Sequence, residues 1–536
     1  MTPQEFIRKW RGNELTERAA AQEHFIDLCR LFGHPTPTEA DRKGEDYAFE
    51  KGLTKTGGGD GFADVWKRGF FAWEYKKRRR NLDLALQQLT RYASALENPP
   101  IHVACDTEQF RIVTAWTSTV PVSYTLEIDD LADPEKRAIL HAVFFDPEKL
   151  RPKKTRAALT DEAATKFSAI AERLQHRNSD REAVAHFVNQ LVFCFFAEDV
   201  KLLPEDYFTK LLRTAEKRPQ RAKAMLDDLF GAMERGGFHG IEEIARFNGG
   251  LFDNRRALDL DHGDLGLLVA LGSLDWSQID PTIFGTLFER FLDPDKRAQI
   301  GAHYTSTDKI MMIVEPVIMR PLLAEWETAR ARVAGLLDGS IKPGRSAQTN
   351  RPMKPKEAAE AARAAFLDRL RAVRILDAAC GSANFLYLAL HAVKDLENRV
   401  VLETEALGLD NTILLVGPEI LKGIEINPLA AELARTTVWI GYIQWKIRNG
   451  IYAKDDPILR RLDNIDCRDA LLTEDGREAE WPEAEFIIGN PPFLGGKLLR
   501  GGLGDDYVET LFSAYDGRVP READLVTYWL EKARAA

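Results

Sequence analysis

Apolar positions along this chain recur with two different periods, and the switches between them mark its organisation. EFIRKW (residues 5–10) and ERAAAQEHFIDLCRLFG (17–33) carry apolar residues at helical spacing. GFADVWKRGFFAWEYK (61–76) and IHVACDTEQFRIVTAW (101–116) are instead rich in β-branched and aromatic residues and are interrupted at Gly and Pro, the pattern of strands. Between them NLDLALQQLTRYASALE (81–97) returns to the helical period. Residues 1–155 are therefore expected to form a small α/β unit. A basic, proline-bearing link (RPKKTR, 151–156) leads into a stretch that is helical from Thr160 to about Arg235, so residues 156–270 read as a helical spacer.

From about Asp275 strands and helices alternate again. KIMMIVEPVIM (309–319) predicts an apolar helix, and LDGSIKPGRSAQTNRPMKP (337–355) an exposed loop. Then come a helix (356–372), a strand (VRILDAA), a helix (384–400), a strand over 421–427, a helix (429–445), a strand ending near Asp469 and a strand over 485–489 (EFIIG). Such alternation predicts a parallel sheet with crossover helices. The expected fold class is α/β multidomain, with the third domain, 271–536, Rossmann-like.

With 536 residues, 45% of them hydrophobic and 29% charged, the chain has enough apolar surface for several cores. Its net charge of −10 means that any nucleic-acid contact relies on local basic patches. The five cysteines, Cys29, Cys105, Cys194, Cys380 and Cys467, lie far apart with no CxxC pair, which argues against a disulfide framework or a structural zinc site and suits the cytoplasm. The first residues carry no apolar run behind their charges, and the most apolar stretch (LVFCFFA, 191–197) is too short to span a bilayer, so no membrane partner is expected.

The candidate chemistry sits at predicted strand ends. ILDAACGSANF (375–385) is strand, acid, Gly-containing turn and helix, the arrangement that opens a cofactor crevice in a parallel sheet, although nucleotide folds in general share it. Glu425, in GIEIN at the end of the next strand, suits the two hydroxyls of a cofactor ribose, or equally a solvated strand-end carboxylate. Asp469, in NIDCRDALL, suits an adenine amino group or a helix cap. The strongest signal is Asn490-Pro491-Pro492-Phe493, directly after EFIIG. Two prolines fix the backbone and remove competing N–H groups. The Asn490 side-chain oxygen and the Pro491 carbonyl can then both accept from one exocyclic NH2, drawing its lone pair out of the ring and towards a methyl sulfonium. Phe493 offers a flat face to a base turned out of a duplex.

At these residues the chain resembles the γ-class DNA adenine-N6 methyltransferases. The resemblance extends to Gly301-Ala302-His303-Tyr304-Thr305, which matches that family's GxxYT element. It implies that Tyr304 and Thr305 meet the methionine end of S-adenosylmethionine (SAM). It further implies that Asp377, Cys380, Gly381 and Phe385 wrap the cofactor, that Glu425 takes its ribose and that Asp469 takes its adenine. Against the family pattern DPACGSGxF, Ala378 stands for Pro and Ala383 for Gly. Ala383 is tolerated if its φ stays negative, and otherwise its methyl group crowds the cofactor.

The N-terminal unit carries a second motif: Asp64, then Glu74-Tyr75-Lys76, a D-x9-E-x-K spacing with Glu74 and Lys76 on one face of a strand. Asp64 and Glu74, with the Tyr75 carbonyl, offer the hard oxygens that suit Mg2+, and Lys76 suits orienting water and stabilising a phosphate transition state. A salt-bridged strand gives the same pattern. The following helix brings Gln88 and Tyr92 to support the strand, and Lys77-Arg78-Arg79-Arg80 reads as a phosphate-facing cluster or a solvated charge run. The unit resembles the PD-(D/E)xK nuclease core.

In the order nuclease-like unit, helical spacer, γ-class methyltransferase, the whole chain resembles the Type IIL (MmeI-like) restriction–modification family. The spacer piece FCFFAEDVKLLPEDYF and the segment TIFGTLFERFLDPDKRAQIGAHYTS resemble it as well. The resemblance implies one polypeptide that cuts double-stranded DNA with Mg2+ and methylates one adenine with SAM. After ADLVTYWLEKAR (523–534), which resembles a post-catalytic helix, the family's further sheet strands and target-recognition domain are not found. A truncated or split member with an incomplete sheet is therefore expected, served by a complementing polypeptide. Competing readings are methylation of RNA or of protein glutamine, and an inactive fragment that only binds DNA or SAM.

Overall fold

The computed structural model spans residues 1–536 and describes all but 13–16, 52–62, 79, 179, 248–250, 254–256, 284, 286–306, 346–350 and 452–462. The chain divides into two compact units. The first is Met1–Ala158 with Val401–Thr412 and Trp445–Tyr452, and the second is Leu159–Val400 with Ile413–Gln444 and Ala453–Ala536.

The first unit is built on a six-stranded sheet of β1 (Tyr47–Lys51), β2 (Ala63–Lys67), β3 (Phe71–Tyr75), β4 (Ile101–Cys105), β5 (Gln109–Thr114) and β6 (Ser123–Glu127), in that spatial order. Only β3 and β4 pair in parallel, joined through helix Leu82–Arg91. All five residues of β3 are buried, because both faces of the sheet are covered. On one face Trp73 and Phe71 pack with Phe25 and Phe144. On the other, Trp66 and Ala72 pack with Leu89 of helix Leu82–Arg91. That helix starts where Asn81 accepts the Asp83 N–H.

The second unit begins with helices. Helix Arg181–Asp199 is apolar on every side and buried along nearly its whole length, as a central helix must be. The short hairpin of β7 (Gly237–His239) and β8 (Glu242–Ile244) was not signalled by the hydrophobic pattern. The apolar helix expected at 309–319 runs over Thr307–Val314 and then widens into a π turn at Glu315–Met319, where Pro316 has no N–H for the ladder.

The last strands are β9 (Ile375–Asp377), β10 (Leu421–Glu425), β11 (Ile465–Cys467) and β12 (Phe486–Ile487), in the order β11-β10-β9-β12, all parallel. Helices Asn384–Ala406 and Pro428–Arg448 make the first two crossovers. The chain steps outward from β9 to β10 and β11, then returns to the other side of β9 as β12. β9 thus connects to β10 on one side while β12 lies on its other side, and a crevice opens at the carboxyl ends of β9 and β12. The strand expected over 485–489 pairs only at two residues, extended by the Ile488 N–H donating to the Leu376 carbonyl (2.9 Å). Among the described residues no helix is long and apolar enough to cross a membrane.

Candidate functional site

The crevice is made by strand ends. β9 stops at Asp377, and Ala378-Ala379-Cys380-Gly381 turn the chain into helix Asn384–Ala406. The Asp377 Oδ1 accepts the Ala379 N–H (3.1 Å). On β10, Glu425 spends one oxygen on the Gly381 N–H (2.9 Å) and the other on the Asn427 N–H (2.8 Å). Gly381 has φ +53°, a conformation that favours glycine and aims its N–H at Glu425. Burial pushes the Asp377 carboxyl up to about 7, with the Glu425 charge adding to it, and burial raises Glu425 as well. Two acids held short of water, with backbone dipoles for partners, suit a ligand that brings hydroxyls and positive charge.

Ala383 does not meet the condition under which its methyl group is tolerated without strain. Its φ is +66°, not negative. An L-residue there costs about 1–2 kcal/mol. The turn is held by the Ala383 N–H donating to Cys380 (2.7 Å), and the residue is fully buried in the core. Cys380 and Phe385 belong to the same core and support the turn from beneath. Ser382 is approached so closely by Gly285 that a Cβ on Gly285 would lie 2.6 Å from its Oγ, which brings part of the TIFG segment to the turn. Tyr304 and Thr305 lie outside the described residues.

Asp469 follows β11. Its Oδ1 accepts the Leu471 N–H (2.7 Å) in a side-chain turn, not the helix cap that the sequence offered, since no helix starts there, and its Oδ2 accepts the Tyr507 hydroxyl (2.7 Å). Burial and this carboxylate push the Tyr507 hydroxyl far up. Ile426, next to Glu425, is 64% exposed and adds an apolar face to the strand end. An apolar residue directly after a strand-end acid was the signal that could have marked it.

Asn490-Pro491-Pro492-Phe493 leave β12 at the same edge of the sheet. Gly489 has φ +156°, and a Cβ there would lie 2.4 Å from the Asp377 Oδ1. The absence of a side chain thus lets the Asn490 loop and the β9 acid meet. Asn490 is exposed, the prolines are half-buried and Phe493 is 67% exposed. Beyond Phe493 the loop is tied to the helix expected near the end of the sequence, observed as Val526–Ala535. The Leu525 N–H donates to Leu494 (2.8 Å), the Gly496 N–H to Asp524 (2.8 Å), and the Trp529 indole to the Ala378 carbonyl (3.1 Å). Trp529 and Gly489, neither singled out from sequence, join the Asn490 loop to the Gly381 turn. Asp377, Gly381, Glu425 and Asn490 therefore share one edge.

In the first unit, Asp64 on β2 and Glu74 on β3 stand opposite one another, one step beyond the Val65–Trp73 pair. Asp64 accepts the Tyr75 N–H (2.6 Å). Glu74 Oε1 accepts both Lys76 Nζ (2.7 Å) and Gln88 Nε2 (2.9 Å), and Lys76 also donates to Gln88 (3.3 Å). Lys76 lies just past β3, but its N–H continues the ladder to Cys105 (2.9 Å). Burial pushes Glu74 up to about 7, and the Asp64 charge outweighs part of the help from Lys76. Two opposed acids of this kind fit a divalent cation. Among the described residues no third acidic, His or Cys side chain completes a metal cluster. In the basic run, Arg78 pairs with Glu108 (2.8 Å), and Arg79 lies outside the described residues.

These sites define a multidomain α/β protein that joins an acid–lysine site in a mixed sheet to a strand-end crevice in a parallel one. The chain belongs to the MmeI-like, Type IIL restriction–modification family. Models of MmeI's N-terminal domain, helicase spacer domain and DNA-methyltransferase domain match residues 1–177, 182–252 and 353–536. The chain is 26% identical to DNA methyltransferase A of Bacillus subtilis (strain 168) over 384 residues, 68% of this chain and 40% of that protein. The structure of the Type IIL restriction-modification enzyme MmeI in complex with DNA is similar with TM-score 0.55 at 25% identity, covering 70% of this chain and 48% of that one. The chain thus spans less than half the length of these relatives.

Proposed function

We propose that this chain carries out SAM-dependent methylation of adenine N6 in double-stranded DNA. The carrying observation is the contact between Gly489 and Asp377, which puts the Asn490 loop beside the acid that opens the Gly381 turn. When bound, SAM supplies an electrophilic methyl on a cationic sulfur. Glu425 is suited to the ribose hydroxyls, Ile426 and Asp469 to the adenine, and the Gly381 turn with Asp377 to the remainder; Tyr304 and Thr305 take the methionine end by resemblance. Asn490 Oδ1 and the Pro491 carbonyl accept from the target NH2 and localise its lone pair, while the exposed Phe493 ring stacks on the base. The test is tritiated methyl transfer from SAM to mixed-sequence duplex DNA, RNA and protein, with this chain alone and with a polypeptide supplying the rest of the relatives' length. DNA should be labelled at adenine N6, and Asn490→Ala should abolish labelling while SAM still binds. Labelling of RNA or glutamine instead, or binding without transfer in every arrangement, would refute the proposal.

The first unit is proposed to be a Mg2+-dependent DNA endonuclease. The support is Glu74, buried opposite Asp64 and bonded to both Lys76 and Gln88. Asp64 and Glu74 would hold Mg2+, which supplies Lewis acidity towards a phosphate oxygen. Lys76 keeps a positive charge at the scissile phosphate.

A further inference from the structure

We propose that Glu405 is a positioning residue for the acid–lysine site of the first unit, acting through helix Leu82–Arg91. The inference rests on the endonuclease reading. That helix delivers Gln88 to Glu74 (2.9 Å) and Lys76 (3.3 Å), yet it has only ten residues, and an isolated helix of this length is marginal in water. Its placement must come from what it leans on.

Two supports come from remote stretches of the chain that belong to the same unit, Val401–Thr412 and Trp445–Tyr452. At the end of the helix burial raises the Tyr92 hydroxyl, and the nearby Glu405 charge adds to it. Arg91 stands 4.0 Å from Glu405 and donates to Asn411 (2.5 Å), 320 residues along the chain. Glu405 is only 4% exposed, so water cannot replace these partners if it is removed. In mid-helix, a Cβ on Gly450 would lie 2.4 Å from the carbonyl of Gln87, the neighbour of Gln88, and Gly450 holds φ +64°. The helix is therefore gripped at Gln87 and at Arg91-Tyr92, on either side of the side chain that reaches the acid. Tyr92 itself lies within the electrostatic reach of both Glu74 and Glu405.

The test uses the full chain. Mg2+-dependent cleavage of mixed-sequence duplex DNA is measured against pH, with Mg2+ affinity by calorimetry and SAM affinity as the check on folding. Glu405→Ala should lower the cleavage rate about 10- to 100-fold, the scale of a small misplacement of reacting groups. It should also weaken Mg2+ binding and leave SAM affinity unchanged. Glu405→Gln, which keeps the size and a polar oxygen of the buried side chain, should recover most of the rate. Gly450→Ala, which presses on Gln87, should reproduce the loss. Cleavage by Glu405→Ala at the original rate and with the original Mg2+ affinity overturns this inference and leaves the endonuclease reading intact. So does a loss that merely follows general unfolding. A native chain that neither cuts nor binds Mg2+ overturns both.

Discussion

Replacing Gly489 by alanine should uncouple methyl transfer from folding. The added Cβ would sit 2.4 Å from the Asp377 Oδ1 and 3.0 Å from its Cγ. A carbon–oxygen contact seldom closes below about 3.3 Å, so roughly 1 Å must be found. Asp377 cannot supply it: it is 1% exposed, ends the strand between β10 and β12, and is held by the Ala379 N–H. The exposed Asn490 loop must move instead. A displacement of about 1 Å at the acceptor costs on the order of 100-fold in rate, or about 2.7 kcal/mol of transition-state stabilisation. The assay is kcat and KM for SAM in tritiated methyl transfer to duplex DNA, with thermal melting as a control. Gly495→Ala is the matched comparison. It lies in the same loop, with φ −63° and a Cβ 3.6 Å from Asp524 Oδ1, an ordinary contact, and should be tolerated. A folded Gly489→Ala protein with kcat within about threefold of the native value, well short of the loss a 1 Å displacement causes, would mean that the contact does not position Asn490.

Lys76→Ala should remove DNA cleavage and spare methyl transfer; a variant that still cuts would make the acid–lysine pair a structural salt bridge. A second expectation concerns pH. Burial pushes Glu74, Asp377 and Asp199 each up to about 7, from ordinary values of 4.5 for Glu and 3.8 for Asp. A raised carboxyl contributes stability that is complete below its unfolded pKa and is lost as pH rises through the folded one. These three groups should therefore lower Tm between about pH 4 and 7. Relative to Glu74→Gln, the native chain should lose Tm from pH 5 to 8, and Mg2+ should restore part of it. A Tm difference that stays flat or moves the other way would rule out the buried Glu74.

The parallel sheet was legible because its strands and crossover helices alternate cleanly, and strand-end acids followed by turns locate an active edge in any such sheet. The strand-end positions of Asp377, Glu425 and Asn490 were legible in this way. β1 and β6 were not, because YAFEK and SYTLE are mostly half-buried or exposed and carry little apolar pattern. The roles of Cys380 and Phe385 as core supports, the positive φ of Ala383 and the closeness of Gly489 to Asp377 are set by tertiary packing, which no local spacing records. The same holds for the return of residues 401–412 and 445–452 to the first unit, since hydrogen bonds across 320 residues leave no periodic trace.

The two acidic sites solve one electrostatic problem differently. At Asp377 and Glu425 the described donors are backbone N–H groups of Ala379, Gly381 and Asn427, fixed dipoles that reduce the cost of burial without cancelling charge. Among the described residues a cationic ligand there competes with no ammonium. At Asp64 and Glu74, Lys76 already sits on Glu74 Oε1 beside Gln88, so a divalent ion must share that oxygen with a positive charge. Its arrival would weaken the Lys76–Glu74 pair and turn the ammonium towards incoming phosphate. On this argument Lys76 limits ion affinity while it serves cleavage. Lys76→Ala should then bind Mg2+ more tightly than the native chain even as it loses the ability to cut, and calorimetry showing weaker binding would reverse the assignment of roles.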